Sequence, residues 1–107
     1  MIVYHFPYEY RINGIPEPSI YCKDQTEKII YTLKTDYKIK PEKIEPIKSG
    51  GLKVTYFNCD NYNSWGIIIF NSMSIFSIIY NIKDDTFVLA EDIFQLNFEN
   101  SLSKFFK

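Results

Sequence analysis

The stretch Trp65-Gly66-Ile67-Ile68-Ile69-Phe70-Asn71-Ser72-Met73-Ser74-Ile75-Phe76-Ser77-Ile78-Ile79-Tyr80-Asn81-Ile82 decides the fold. It carries no charge and approaches the length of a membrane span. Its middle holds Asn71, Ser72, Ser74 and Ser77, and its apolar residues are β-branched or aromatic rather than Leu and Ala. Both features fit two strands joined by a turn at Asn71-Ser72-Met73 better than a membrane helix. Trp65–Phe70 and Ser74–Ile82 are therefore expected to pair as an apolar hairpin. Ile67–Phe70 and much of Ile75–Tyr80 are apolar on both faces, the pattern of central strands. Either two helices cover the two faces, or one face awaits a partner.

Working outward, Leu52–Phe57 reads as a strand with Leu52, Val54 and Tyr56 on one face. The polar run Asn58–Asn63 and the run Lys83–Thr86 read as turns, and Phe87–Ala90 as a further strand. Glu91–Lys107 reads as a helix supported by Ile93, Leu96, Leu102, Phe105 and Phe106. A strand reaching Phe98 followed by a short C-terminal helix is the alternative. Lys38–Gly51, broken by Pro41 and Pro46, reads as a long connection or irregular edge segment.

Upstream, Asp24–Tyr37 is the best helix candidate. Asp24 and Glu27 have capping-box spacing, and Ile29, Ile30 and Leu33 form a narrow apolar stripe. Ile2–Phe6 reads as a first strand that Tyr8–Ile12 continues past Pro7, and Asn13-Gly14 as a turn. The fold class expected is α+β: one domain of 107 residues, with an antiparallel meander of about four or five strands and one or two packed helices.

Composition narrows the function. Hydrophobic residues at 46% and charged residues at 23% exclude wholesale disorder. A net charge of -1 with Arg11 as the only arginine lacks the basic footprint of a nucleic-acid binder. No secretory h-region and no Asn-x-Ser/Thr acceptor are visible, so a cytoplasmic protein with free Cys22 and Cys59 is expected. No membrane partner is expected.

Ala90 is the only alanine, whereas Phe and Tyr number nine each. Sheet preference and A/T-rich coding bias explain this equally well.

Chemistry is sparsely represented. His5, Cys22 and Cys59 are scattered, with no metal-ligand spacing, so no metal and no cofactor are expected. A small enzyme would need Cys22 or Cys59 activated by His5; Cys22, in the aromatic run Ser19-Ile20-Tyr21-Cys22, reads more simply as a core residue in a strand. Glu91-Asp92 and Asp84-Asp85 read as wet turn or helix-start acids. No phosphate-cradling glycine motif is present.

Two features point to protein binding. Tyr8, Tyr10 and Tyr62, with Trp65 nearby, lie near turns or expected edges, and such aromatics are enriched at hot spots. Residues 84 to 99 hold Asp84, Asp85, Glu91, Asp92 and Glu99 with no base, whereas residues 34 to 53 hold six Lys. An acidic strip of this kind suits a basic partner such as a nuclease; the plainer reading is solvated surface. Together these residues predict a non-catalytic inhibitor, monomer or homodimer, that masks a cognate toxin as an immunity protein does. The alternative is an anti-defence inhibitor of the anti-CRISPR kind.

The C-terminal run from Ile79-Tyr80 through Ala90 to Phe98-Glu99-Asn100-Ser101-Leu102-Ser103-Lys104-Phe105-Phe106 is similar to the end of SUKH-type immunity proteins. There a late strand leads into a short helix with Phe-x-x-x-Leu-like apolar spacing. The similarity covers under a third of the chain. The N-terminal half departs from that family, with an aromatic strand where a helix is expected, and no site residue is carried over.

Overall fold

In the computed structural model, Asn63–Phe70 (β3) and Ile75–Asn81 (β4) form the antiparallel hairpin, with Trp65 opposite Ile79, Ile67 opposite Ser77 and Ile69 opposite Ile75. The structure describes Phe6 and residues 8–107. Met73 closes the turn at φ 81, its N–H donating to the Phe70 carbonyl. No helix among the described residues is long and apolar enough to cross a membrane.

Gly51–Asn58 (β2) joins the other side of β3, and Lys43–Pro46 (β1) and Thr86–Asp92 (β5) form the edges. The five strands follow chain order, all antiparallel. Gly51, at φ 140, enters β2 where a Cβ would lie 2.2 Å from the Ile69 carbonyl oxygen; only glycine fits there. The Lys38–Gly51 connection thus contains a short edge strand that ends at Pro46, after which the Ile47 N–H donates to the Gly51 carbonyl at 3.2 Å.

Ile20–Tyr37 (α2) buries Cys22, Thr26, Ile29, Ile30 and Leu33, a helical stripe along one side. It begins four residues before the expected start. Ser19 is the N-cap, its hydroxyl accepting from the Cys22 N–H at 3.0 Å. Asp24 lies a turn inside the helix, where it pairs with Lys28 at 3.1 Å. The strand reading of Ser19–Cys22 is therefore corrected: cap chemistry and burial of Cys22 outweigh the β preference of Ile20 and Tyr21. Lys38, at φ 59, ends the helix in the left-handed conformation.

Tyr8–Ile12 (α1) is helical, not a strand, and Asn13-Gly14 closes it rather than a hairpin; Gly14 sits at φ 76. The expected strand Ile2–Phe6 lies outside the described residues except for Phe6. Beyond β5 the chain turns through Gln95 and Leu96, both at positive φ, and resumes as Glu99–Phe105 (α3). The single C-terminal helix is thus corrected. Ile93 and Phe98 are buried as loop anchors instead of helical positions.

Helices α2 and α3 pack on the same face of the sheet. One buried cluster unites Ile29 and Leu33 of α2, Leu102 and Phe105 of α3, and the facing Leu52, Val54, Tyr56, Trp65, Ile67, Ile69, Ile75 and Ile79. The opposite face carries Lys53 and Thr55 on β2, Ile68 and Phe70 on β3, and Phe76, Ile78 and Tyr80 on β4, all partly exposed. Phe87 of β5, 70% exposed, packs edge-on against Tyr80 at 5.1 Å. No helix among the described residues covers this face.

Candidate functional site

The aromatic and acidic residues singled out from sequence do not form one surface. Trp65 is fully buried, so its expected role as a partner contact is corrected. Its ring lies 5.7 Å from Tyr56, 5.8 Å from Phe98 and 5.4 Å from Phe105. The alternation of β3 turns position 65 to the helix-covered side.

A directional hydrogen-bond chain starts at this indole. Trp65 Nε1–H donates to Ser77 Oγ at 2.7 Å; Ser77 and Ser101 hydroxyls meet at 2.7 Å; Ser101 donates to Glu91 Oε1 at 2.8 Å. The indole only donates and Ser101 spends its one O–H on the carboxylate, so the Ser77 hydroxyl is the donor to Ser101. Asn100 Nδ2 donates to the other Glu91 oxygen at 2.9 Å. Glu91 thus ties β5 to α3 rather than standing free on the acidic strip.

Tyr62, Asp84 and Asp85 converge at one end of the sheet. Ile82 N–H donates to the Tyr62 carbonyl at 2.9 Å, joining the β2–β3 and β4–β5 turns. Lys83 Nζ lies 5.8 Å from the Tyr62 ring centre. At this same end Asn58, Asn61 and Asn63 donate side-chain N–H groups to the Phe105 carbonyl, and Asn63 also to that of Lys104. These amides satisfy the open C-terminal carbonyls of α3. Sequence reasoning read the run only as a polar turn, and its asparagine density was the available signal.

Asp92 stands at the far end of β5, roughly 20 Å from Asp85 along the strand at ~3.3 Å per residue. It borders a shallow pocket of about 270 Å³ between β5 and α3, shared with Glu91, Phe94, Asn97, Glu99 and Asn100. Phe94 is 76% exposed. Tyr8 and Tyr10 lie on α1, Tyr8 exposed and Tyr10 partly so. The segment after α1 is strapped to the β3–β4 turn, where Asn71 donates to the Glu17 carbonyl and accepts from the Ser19 N–H.

Cys22 is fully buried, its thiol donating to the Ile69 carbonyl at 3.1 Å. Burial pushes its pKa up, which disfavours the thiolate a nucleophile needs. Cys59 is exposed in the β2–β3 turn, and His5 lies outside the described residues. Among the described residues no group of three or more His, Cys, Asp or Glu is placed to hold a metal ion.

Comparison with protein-family models, with curated proteins and with solved structures found no match to this chain. The features that distinguish its surface are the bare apolar sheet face and the acidic end of β5.

Proposed function

We propose that this chain is a non-catalytic protein-binding inhibitor, of the kind in which an immunity protein masks the active site of a toxin. The observation that supports this is the one-sided sheet. Helices α2 and α3 cover one face, and Ile68, Phe70, Phe76, Ile78, Tyr80 and Phe87 line the other. At ~4.8 Å between strands and ~3.3 Å per residue, the bare face spans roughly 600 Å² in projection. That approaches the ~800 Å² one partner contributes to a standard interface. Lys53, whose stem lies across Gly66, and Asp92 flank the apolar band with opposite charges, which gives a partner its register.

The test is growth rescue. The chain is co-expressed with the product of the gene adjacent to its own, and toxicity of that product is scored with and without it. Rescue is expected from the native chain and is lost in Ile68→Lys/Ile78→Lys, with folding verified by Trp65 fluorescence. Undiminished rescue by a folded double variant removes the bare face from the mechanism. An adjacent product whose toxicity the native chain leaves unchanged counts against the inhibitor reading itself.

A further inference from the structure

We infer that the free edge of β5 receives a basic extended segment of the partner, added as a sixth antiparallel strand. This rests on the protein-binding reading above and names the chemistry of the segment that docks. The Ile93 N–H donates to the Ile75 carbonyl at 2.8 Å. By the alternation of an antiparallel ladder, the backbone groups of Glu91 and Leu89 also face β4, and those of Ala90 and Asp92 face away. Both Ala90 and Asp92 are exposed. No described strand pairs with this edge, and β5 has no proline and no lysine, two of the usual guards of an open edge. The register shift opposite Ile79 and Tyr80 interrupts the strand at Val88, which confines pairing to the half from Leu89 to Asp92. The other edge strand, β1, is four residues long and ends in Pro46.

Charge selects the occupant. Antiparallel pairing of two copies through Leu89–Asp92 brings Glu91 and Asp92 of one within about two residues of Glu91 and Asp92 of the other, so a second copy is repelled. A basic strand meets the opposite situation. Its backbone pairs with Ala90 and Asp92, and a Lys or Arg at its end enters the pocket bounded by Glu91, Asp92 and Glu99. Glu91 is already fixed by Ser101 and Asn100, so that wall of the pocket is rigid. Residues 84 to 99 contain no cation to compete. Phe94, exposed at the same rim, covers the stem of the incoming side chain.

The probe is an eight-residue peptide alternating Thr and Val between Arg-Lys ends, compared with the same peptide ended by Glu. Binding is followed by backbone amide shifts of the native chain. The basic peptide is expected to shift Leu89, Ala90, Glu91 and Asp92, and the acidic peptide to leave them unmoved. Ala90→Pro removes an outward N–H without touching the β4 ladder, and should weaken the basic peptide at least tenfold. Should that variant misfold, Asp92→Lys/Glu99→Lys is expected to weaken it as much and to admit the acidic peptide. No binding of the basic peptide to the native chain at millimolar concentration overturns the inference, as do shifts on the bare sheet face or equal binding of both peptides. Full growth rescue by folded Ala90→Pro alongside failed peptide binding discards the edge and leaves the inhibitor reading intact.

Discussion

Serine 77 shows how one small polar residue fixes a core. It sits on the buried side of β4 where the neighbouring positions are Ile75 and Ile79, and it is there because the indole N–H of Trp65 needs an acceptor. Ser77→Ala strands that donor, at an expected cost of about 1–3 kcal/mol. Urea denaturation followed by Trp65 fluorescence reads it directly, and an unchanged midpoint contradicts the directional chain. Tyr56 is the reverse case. Its hydroxyl is buried without a hydrogen-bond partner among the described residues, so Tyr56→Phe is expected to hold or raise stability in the same assay. Burial also raises its pKa above the ordinary 10.0 and that of Cys22 above 9.0. In the unfolded chain both groups ionise earlier than in the folded one. Their contribution is therefore complete below about pH 9 and is lost as pH rises, because the unfolded state then binds fewer protons. Melting temperature should fall above pH 9, and fall less steeply in Tyr56→Phe.

Among the elements, the two ends of the helices are held by chemistry of different range. Helix α2 starts on a local cap, Ser19 to Cys22. Ser19→Ala should cost about 1 kcal/mol, whereas Asp24→Ala, which loses only an exposed pair with Lys28, should cost a few tenths. Thermal melts of the two variants separate the true cap from the apparent one; equal losses refute the assignment. Helix α3, seven residues long, is too short to persist alone. It depends on Ser101 below it and on the asparagine amides at its C-terminus. Asn63, 5% exposed, donates to Lys104 and Phe105 and accepts from Asn81 at 2.8 Å. Asn63→Ala is expected to accelerate amide exchange in α3 by at least tenfold while β2 and β3 stay protected.

At the scale of the whole molecule, the meander converts order along the chain into order across the sheet. The lysine-rich residues 34 to 53 lie toward β1 and the acidic residues 84 to 99 toward β5. Opposite edges of a five-stranded sheet are about 19 Å apart at ~4.8 Å per strand, beyond the ~8 Å Debye length at physiological salt. The net charge of -1 thus conceals a separated pair of patches. Partner association is expected to slow severalfold between 50 and 300 mM salt, and Asp84→Asn/Asp85→Asn/Asp92→Asn to flatten that dependence in stopped-flow kinetics. Phe87 belongs to this scale as well. Its replacement by Ser, at a position 70% exposed, should leave stability within about 1 kcal/mol yet weaken rescue.

The sequence by itself determined the four consecutive strands from β2 to β5. Leu52, Val54 and Tyr56 were legible as one face and the hairpin around Asn71 as a turn, because side chains alternate at period two and a turn breaks the apolar run. The spacing of Ile29, Ile30 and Leu33 likewise announced a helix. The helical form of Tyr8–Ile12 was hidden by residues that favour strands. The loop through Gln95 and Leu96 was not legible because it follows the core packing of Leu96 and Phe98, and the true start of the long helix was not because a distant anchor joins its local Ser19 cap. Asn71, holding Glu17 and Ser19 from 54 and 52 positions away, is that anchor. Trp65 looked like a surface aromatic because its neighbours are polar turns; only the sheet register shows which side it takes. The same holds for the functional surface. That the central strands were apolar on both faces was written in the sequence, but which face remained bare depended on both helices packing on the Trp65 side. That choice is a property of packing, where Trp65, Phe98 and Phe105 meet across 33 and 40 positions of chain, and no local pattern encodes it.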